Sequence, residues 1–325
     1  MNIIITGAAG GIGSVLSEHL RKKGHKLTLI DNLRNGYKEN IIDETCFYKL
    51  DICTKNLQEI FKQSSYDCII HLAAITALPD CEANVQECIK VNVEGTANIM
   101  ETARHLNIPH VIFASTSAVY ENTTAEEFKE NMEINPRLWY SLSKKMAEEV
   151  CQSYSKNYGM NISILRLFNV FGPKQDIHRK NPPLINYLVR EFKKGTSPLL
   201  HSNGEQLRDY VYVNDVLNMI DLCLLLKPNE IFNVCSGELL SVKQIVKFVK
   251  EALNSNVEPV FREASKLWDT YPELFSGNYP LKKDVVIKEV NKYSRGSYKK
   301  ANMVLGWKPD TNLEYLIKKV VTQIK

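Results

Sequence analysis

Short apolar runs alternate with stretches of helical period through the first half of the chain. The runs are Ile3 to Thr6, Leu27 to Ile30, Phe47 to Leu50, Cys68 to His71, Val111 to Ala114 and Ile162 to Leu165; helical spacing marks Ser14 to Lys23, Val85 to Leu106 and Tyr140 to Asn157. Such alternation predicts a parallel sheet with helices on both faces. Ligands of these sheets lie at the carboxyl ends of the strands, where the strand order reverses. The residues to read for chemistry are therefore those that follow the runs.

After Gly172-Pro173 the texture changes to more lysine, proline and aromatic residues with weaker alternation. A first domain over 1–168 and a smaller α/β domain over 169–325 are expected, interleaved because Tyr210 to Val213 and Ile231 to Val234 look like strands returning to the first domain, near 208–235. The segment from Glu263 to Asn291 has the poorest pattern and predicts a surface excursion.

The first run breaks into Gly7, Gly10 and Gly13 and then into an amphipathic stretch. Strand, glycine loop and helix in this order make a phosphate cradle, with close backbone approach to a pyrophosphate and a helix N-terminus behind it. Asp31 ends the second run 18 residues beyond Gly13, near where a carboxylate accepts hydrogen bonds from an adenosine ribose. It would repel a 2′-phosphate, which favours NAD over NADP; Arg34 is the one nearby cation that argues the other way. Ala73 and Ala74 are small enough to let a cofactor lie against backbone.

Tyr140 and Lys144 stand four apart in a helical stretch, so a phenol and an ammonium share one face and can reach one ligand. The pair has weight because a cofactor loop precedes it.

The 325 residues carry a formal charge of +4 without a basic stripe interleaved with aromatics, so nucleic acid is not an expected partner. Eight cysteines are scattered without a metal-knuckle spacing, which reads as buried thiols in a reducing compartment. No stretch approaches the ~18 uninterrupted apolar residues of a membrane span. A soluble, cytoplasmic protein that binds neither membrane nor metal is expected.

Together, Thr6-Gly-x-x-Gly-x-x-Gly13, Asp31-Asn-Leu33, His71-Leu-Ala-Ala74, Asn92-Val-Glu-Gly-Thr96, Ser115-Thr-Ser-Ala-Val-Tyr120, Tyr140-x-x-x-Lys144, Arg166-Leu-Phe-Asn169, Arg208-Asp-Tyr-Val-Tyr-Val213 and Leu305-Gly-Trp307 resemble the extended short-chain dehydrogenase/reductase family, in particular its nucleotide-sugar epimerases. The resemblance implies a Rossmann-type doubly wound sheet, bound NAD, a nucleotide-diphosphate sugar as substrate with UDP favoured, and a homodimer through the helices of Val85 to Leu106 and Tyr140 to Asn157. It implies cofactor contacts from Gly7, Gly10, Gly11, Ile12 and Gly13, from Asp31, Asn32, Asn35 and Gly36, from Asp51 and Ile52, from Leu72, Ala73, Ala74 and Thr76, and from Asn92, Tyr140, Lys144 and Phe168. Tyr140 would be the base for a sugar hydroxyl, Lys144 would favour the phenolate and bind the nicotinamide ribose, and Thr116 would hydrogen-bond the reacting hydroxyl. Asn92 would hold a catalytic helix or ribose in place. Thr116, Ser117, Tyr140, Asn169, Arg208 and Ser294 are the expected substrate contacts, with Asn169 and Arg208 at the diphosphate.

Family members that dehydrate resemble Thr-Asp-Glu at the Thr116 position, and those that decarboxylate uronic acids resemble Thr-Ser-Glu. This chain has Thr116-Ser117-Ala118, and without the extra carboxylate the toolkit supports reversible hydride transfer at C4, and hence epimerisation. A C4 oxidoreductase that releases its product, and less so a dehydratase or decarboxylase, are the alternatives. Three features depart from the family: Lys288-Glu-Val-Asn291 stands in the neighbourhood of its Arg-x-x-Asp pair, and Gly11 and Glu121 stand where an aromatic residue and glycine are usual. Ser294 falls where some epimerases carry a bulky gate, and a small residue there suggests room for a 2-acetamido group.

Overall fold

The computed structural model describes residues 1–43 and 46–324. Strands β1 (Asn2–Thr6), β2 (Lys26–Asp31), β3 (Phe47–Lys49), β4 (Cys68–His71), β5 (His110–Thr116), β6 (Asn161–Leu167) and β10 (Ile231–Val234) form a seven-stranded sheet in the order β10-β6-β5-β4-β1-β2-β3. Every pairing is parallel, which is the doubly wound order with one strand added at the β6 edge. Ile3 and Ile5 enter the core on one face and Ile4 the core on the other. Burial on both faces is why this strand reads as an unbroken apolar run. The order reverses between β1 and β4, so a crevice opens above Gly7 and Leu72.

The segment from Tyr210 to Val213 does not return to this sheet. β9 (Leu207–Tyr212) pairs in parallel with β7 (Asn169–Phe171) and antiparallel with β11 (Leu239–Ser241) in a separate three-stranded sheet. Tyr210 and Tyr212 are buried there with Phe171, α7 (Leu184–Lys193), α9 (Val242–Leu253) and α12 (Leu313–Gln323). What returns is α8 (Val213–Leu226), which buries Val216, Met219 and Ile220 beside Leu16 and Leu20 of α1 (Gly11–Lys22), followed by β10. A short parallel pair, β8 (Leu199–His201) with β12 (Val260–Arg262), completes the strands.

The excursion over 263–291 has a small core of its own. Trp268, Tyr271, Leu274 and Val286, the last on α10 (Lys283–Asn291), pack on Leu138, with Leu78 at the edge.

The single helix expected from Val85 to Leu106 is three pieces: α4 (Val85–Ile89), a π-helical turn over Lys90–Glu94, and α5 (Gly95–His105). Asn92 sits in the π turn, where wide turns often mark function. No helix among the described residues is long and apolar enough to cross a membrane.

Candidate active site

At the β1–α1 turn, Gly7 has φ +73°, and a Cβ there would lie 2.8 Å from the Ala73 nitrogen; one on Gly13 would lie 2.1 Å from the Gly7 oxygen. Only glycine lets strand, loop and helix approach this closely. No side chain caps α1 and its first turn holds no acid, so its amides and positive dipole end are available to an anion.

Asp31 ends β2 with its carboxylate held by the Ala9 amide at 3.0 Å and the Leu33 amide at 2.8 Å. Burial raises its pKa and these two bonds oppose the shift. Arg34 is tied to Glu87 at 2.5 Å, so the cation that argued for NADP is already engaged. Asn32 donates to Asp51 at 2.9 Å across the crevice edge.

The far wall comes from helix α6 (Trp139–Tyr158). Its N-terminus is anchored by two carboxylates. Leu138 and Arg137 amides donate to Glu121 Oε2 at 3.0 and 3.2 Å, and the Trp139 amide donates to Glu82 Oε1 at 2.6 Å. Glu121 thus fixes the turn that presents Tyr140. Burial pushes Glu82 up to about 7, against the Trp139 bond.

Tyr140 and Lys144 both face the crevice with Thr116 from the end of β5. Burial pushes the Tyr140 phenol up to about 12, while the Thr116 hydroxyl and the Arg179 charge oppose the rise. Thr116 Oγ1 also accepts from the Ala118 amide at 3.2 Å. Lys144 is 3% exposed, stands 4.2 Å over the Phe113 ring, and burial brings its pKa down to about 8.

Asn92 lies behind the wall. Its Oδ1 accepts from the Ile75 amide at 2.8 Å, and its Nδ2 donates to Ile75 O and Ser143 Oγ, each at 3.0 Å. It joins the loop after β4 to α6 and is not among the residues that line the cleft.

These surfaces enclose a cleft of about 350 Å³. Gly7, Gly10, Gly11, Ile12, Gly13, Asp31, Asn32, Asn35, Gly36, Asp51, Ile52, Leu72, Ala73, Ala74, Thr76, Thr116, Tyr140, Lys144 and Phe168 all line it. A glycine cradle, free helix amides and the Asp31 carboxylate in one cleft fit a dinucleotide.

Four expected substrate residues are not in the cleft wall. Ser117 opens the 3₁₀ turn after β5, and Asn169 Nδ2 donates to the Asp209 carbonyl at 2.7 Å. Arg208 Nη2 donates to the Glu289 and Val290 carbonyls at 3.0 and 2.8 Å, capping the C-terminus of α10. Ser294 bridges Arg208 through backbone and is 5% exposed, with no partner for its hydroxyl.

Conversely, Gln175, Asp176, Arg179 and Pro183 line the cleft without having been expected. A Cβ on Gly11 would lie 3.1 Å from the Gln175 Cα, so this segment packs tightly against the glycine loop.

The sequence profile of the NAD-dependent epimerase/dehydratase family matches residues 3–235. The chain belongs to this family. Among its relatives, a protein of Methanocaldococcus jannaschii that carries the provisional name UDP-glucose 4-epimerase is 32% identical over 324 residues, 99% of this chain and 98% of that one. The UDP-N-acetyl-α-D-glucosaminuronate decarboxylase of Bacillus cytotoxicus is 31% identical over 88% of this chain and 90% of its own. The structure of Thermotoga maritima UDP-glucose 4-epimerase with UDP-glucose superposes with TM-score 0.88 at 28% identity, over 99% of this chain and 98% of that one. The family's dependence on NAD agrees with the cradle, the free amides of α1 and Asp31. Among the described residues no group of three His, Cys, Asp or Glu could hold a metal ion.

Proposed function

We propose that the protein is a C4 epimerase of UDP-sugars, and that Tyr140, Thr116 and Lys144 carry the reaction. NAD held in the cleft supplies a reversible hydride acceptor. The chain's own work is to move one proton and hold the sugar. Tyr140 Oη accepts the proton of the C4 hydroxyl and returns it after the 4-keto sugar has turned its other face to the cofactor. Thr116 hydrogen-bonds the same oxygen, and the Lys144 charge favours the phenolate and would hold the nicotinamide ribose.

The observation that carries this reading is that Tyr140, Thr116 and Lys144 line one cleft with the glycine loop, and that the chain has Ala118 two residues after Thr116. Ala118 is 9% exposed and brings no carboxylate. A dehydratase needs an acid and a base to expel the 6-hydroxyl, and the decarboxylases resemble Thr-Ser-Glu at this place; the related Bacillus enzyme therefore speaks to fold and cofactor more than to outcome.

The test is proton NMR of the purified protein with UDP-glucose, UDP-galactose, UDP-GlcNAc, UDP-GalNAc and the corresponding uronates, without added cofactor. A new anomeric signal of the C4 epimer with no net NADH is the expected result. A released 4-keto sugar, or turnover only with stoichiometric NAD(P)(H), would point to an oxidoreductase.

The packed pair α5 and α6 leaves Tyr158 59% exposed beside Arg104, which supports a homodimer through these helices; a monomer by sedimentation at micromolar concentration would exclude it. The eight free thiols suit a cytoplasmic location.

A further inference from the structure

Among the described residues no carboxylate forms an ion pair with Arg179, which lines the cleft. Asp176 shapes the turn that carries it, its Oδ1 accepting from the His178 amide at 2.7 Å and the Arg179 amide at 3.1 Å. That same oxygen accepts from Tyr37 Oη at 2.7 Å, and Asp80 Oδ1 accepts from Tyr271 Oη at 2.5 Å. Both carboxylates act on Arg179 through space, yet neither pairs with it. Among the described residues its guanidinium makes one hydrogen bond, a long one from Nη1 to Thr76 Oγ1 at 3.4 Å, and its Nε is buried without a partner. A half-buried guanidinium whose Nε is shut off from water without a partner is costly unless an anion fills that edge.

The place of this edge restricts the anion. Arg179 lines the same cleft as Tyr140 and its charge acts on that phenol. If Tyr140 meets the C4 hydroxyl, Arg179 faces the atoms that flank C4. On a pyranose these are the substituents of C5 and C3, whereas the diphosphate leaves from C1, across the ring.

We propose that Arg179 makes the sugar end of the cleft a carboxylate site, so that the preferred sugar nucleotide carries an acid on a carbon flanking C4, as a hexuronic acid does. This rests on the C4 reading of Tyr140 above. A planar fork matches a carboxylate with two parallel hydrogen bonds, and Arg179 offers Nε and Nη for it. The pairing also suits a uronate that is to be epimerised. A 4-keto-uronate is a β-keto acid, and stabilising the charge on its carboxylate oxygens raises the barrier to losing CO2.

The test is calorimetric binding to the full-length Tyr140→Phe protein, which does not depend on turnover, of UDP-glucuronate, UDP-glucose and UDP-N-acetylmuramate, whose acid hangs from O3. Tighter binding of either acidic sugar than of UDP-glucose by about 10- to 100-fold is expected, and which acid gains identifies the flank. In Arg179→Gln that ratio should collapse toward one. Equal affinities for acidic and neutral sugars before substitution would overturn the proposal. So would a parallel loss for all three in Arg179→Gln, because Arg179 would then serve the shared diphosphate. A preserved ratio in a wild-type protein that epimerises nothing would instead sink the proposed reaction and leave the carboxylate site standing.

Discussion

Arg166 Nη2 lies 2.8 Å from Glu148 Oε2, and the two side chains are 4% and 2% exposed. Glu148 is one helical turn beyond Lys144 on α6, and Arg166 is on β6. Glu148 Oε1 also accepts from Ser115 Oγ at 2.5 Å, next to Thr116, while Arg166 Nη1 donates to Tyr120 Oη at 2.8 Å. Tyr120 Oη donates in turn to Asn233 Oδ1 at 2.9 Å on β10. One buried network therefore sets the helix that carries Tyr140 and Lys144 against the strand end that carries Thr116.

Breaking this pair from one side leaves a buried charge without its partner. Arg166→Met is expected to lower stability by about 3–5 kcal/mol, and Glu148→Leu by a similar amount. Arg166→Met/Glu148→Leu together should lose much less than the sum. Urea denaturation of the four proteins checks the cycle, and additive losses would show that the two charges do not depend on each other.

Removing the phenol oxygen should separate chemistry from binding. Tyr140→Phe is expected to lower kcat by about 10²–10⁴-fold while UDP-sugar still binds. The pH profile carries a second expectation. Lys144, brought to about 8 by burial, is charged below that pH and neutral above it, so kcat/KM should fall on the alkaline side as its charge is lost. A rate that keeps rising to pH 10 would mean that phenol ionisation governs instead.

Asp31 should decide between the dinucleotides. Its carboxylate is held in place by the Ala9 and Leu33 amides, and a 2′-phosphate would meet it at close range. Asp31→Ser is expected to weaken NAD and strengthen NADP, narrowing the preference by about 10-fold or more, each close charge contact being worth about 1–3 kcal/mol. Arg34 is held by Glu87, so Glu87→Gln in addition should help NADP further. Fluorescence titration with each cofactor reads both effects.

The half of the cleft built by local pattern could be read from the sequence. Gly7 to Gly13, Asp31, Asp51, Leu72 to Ala74, Thr116 and Phe168 follow strands whose apolar runs are plain, and the topology of a parallel sheet brings those ends together. Arg208 and Ser294 could not be placed in the same way. Arg208 was expected at a diphosphate because of its flanking residues, but α10, from the segment with the weakest periodicity, presents its C-terminal carbonyls to the guanidinium. Arg179 escaped for the converse reason: its turn is set by Asp176, and its guanidinium reaches Thr76, 103 residues away in sequence. The π turn at Asn92 left no mark on the helical period, since one extra residue in a turn shifts the apolar stripe only slightly.

His71 links cofactor loop, sheet and acid sensitivity. Its Nδ1 is 2.7 Å from Thr6 Oγ1 and its Nε2 is 3.1 Å from Thr96 Oγ1, directly behind the crevice. Burial, reinforced by the Lys144 charge, brings its pKa down to about 3. Between pH 6.5 and about 3 the unfolded chain therefore takes up a proton that the folded chain refuses. The stabilisation from neutral His71 is fully present above pH 6.5 and is lost as pH falls, at up to about 1.4 kcal/mol per pH unit. His110, brought to about 4 by burial, acts with the same sign. Asp209 and Asp215, raised to about 6 by burial, act with the opposite sign over much of this window, so the wild-type melting curve alone conceals the effect. The difference from a variant reveals it. His71→Asn keeps a donor and an acceptor and cannot titrate. At pH 8 it should be less stable than wild type by about 1–3 kcal/mol through lost packing and hydrogen bonds, and by pH 5 that gap should narrow by about 2 kcal/mol. Thermal melts of both proteins across this range give the comparison, and a gap that stays constant would mean that His71 titrates normally in the folded protein.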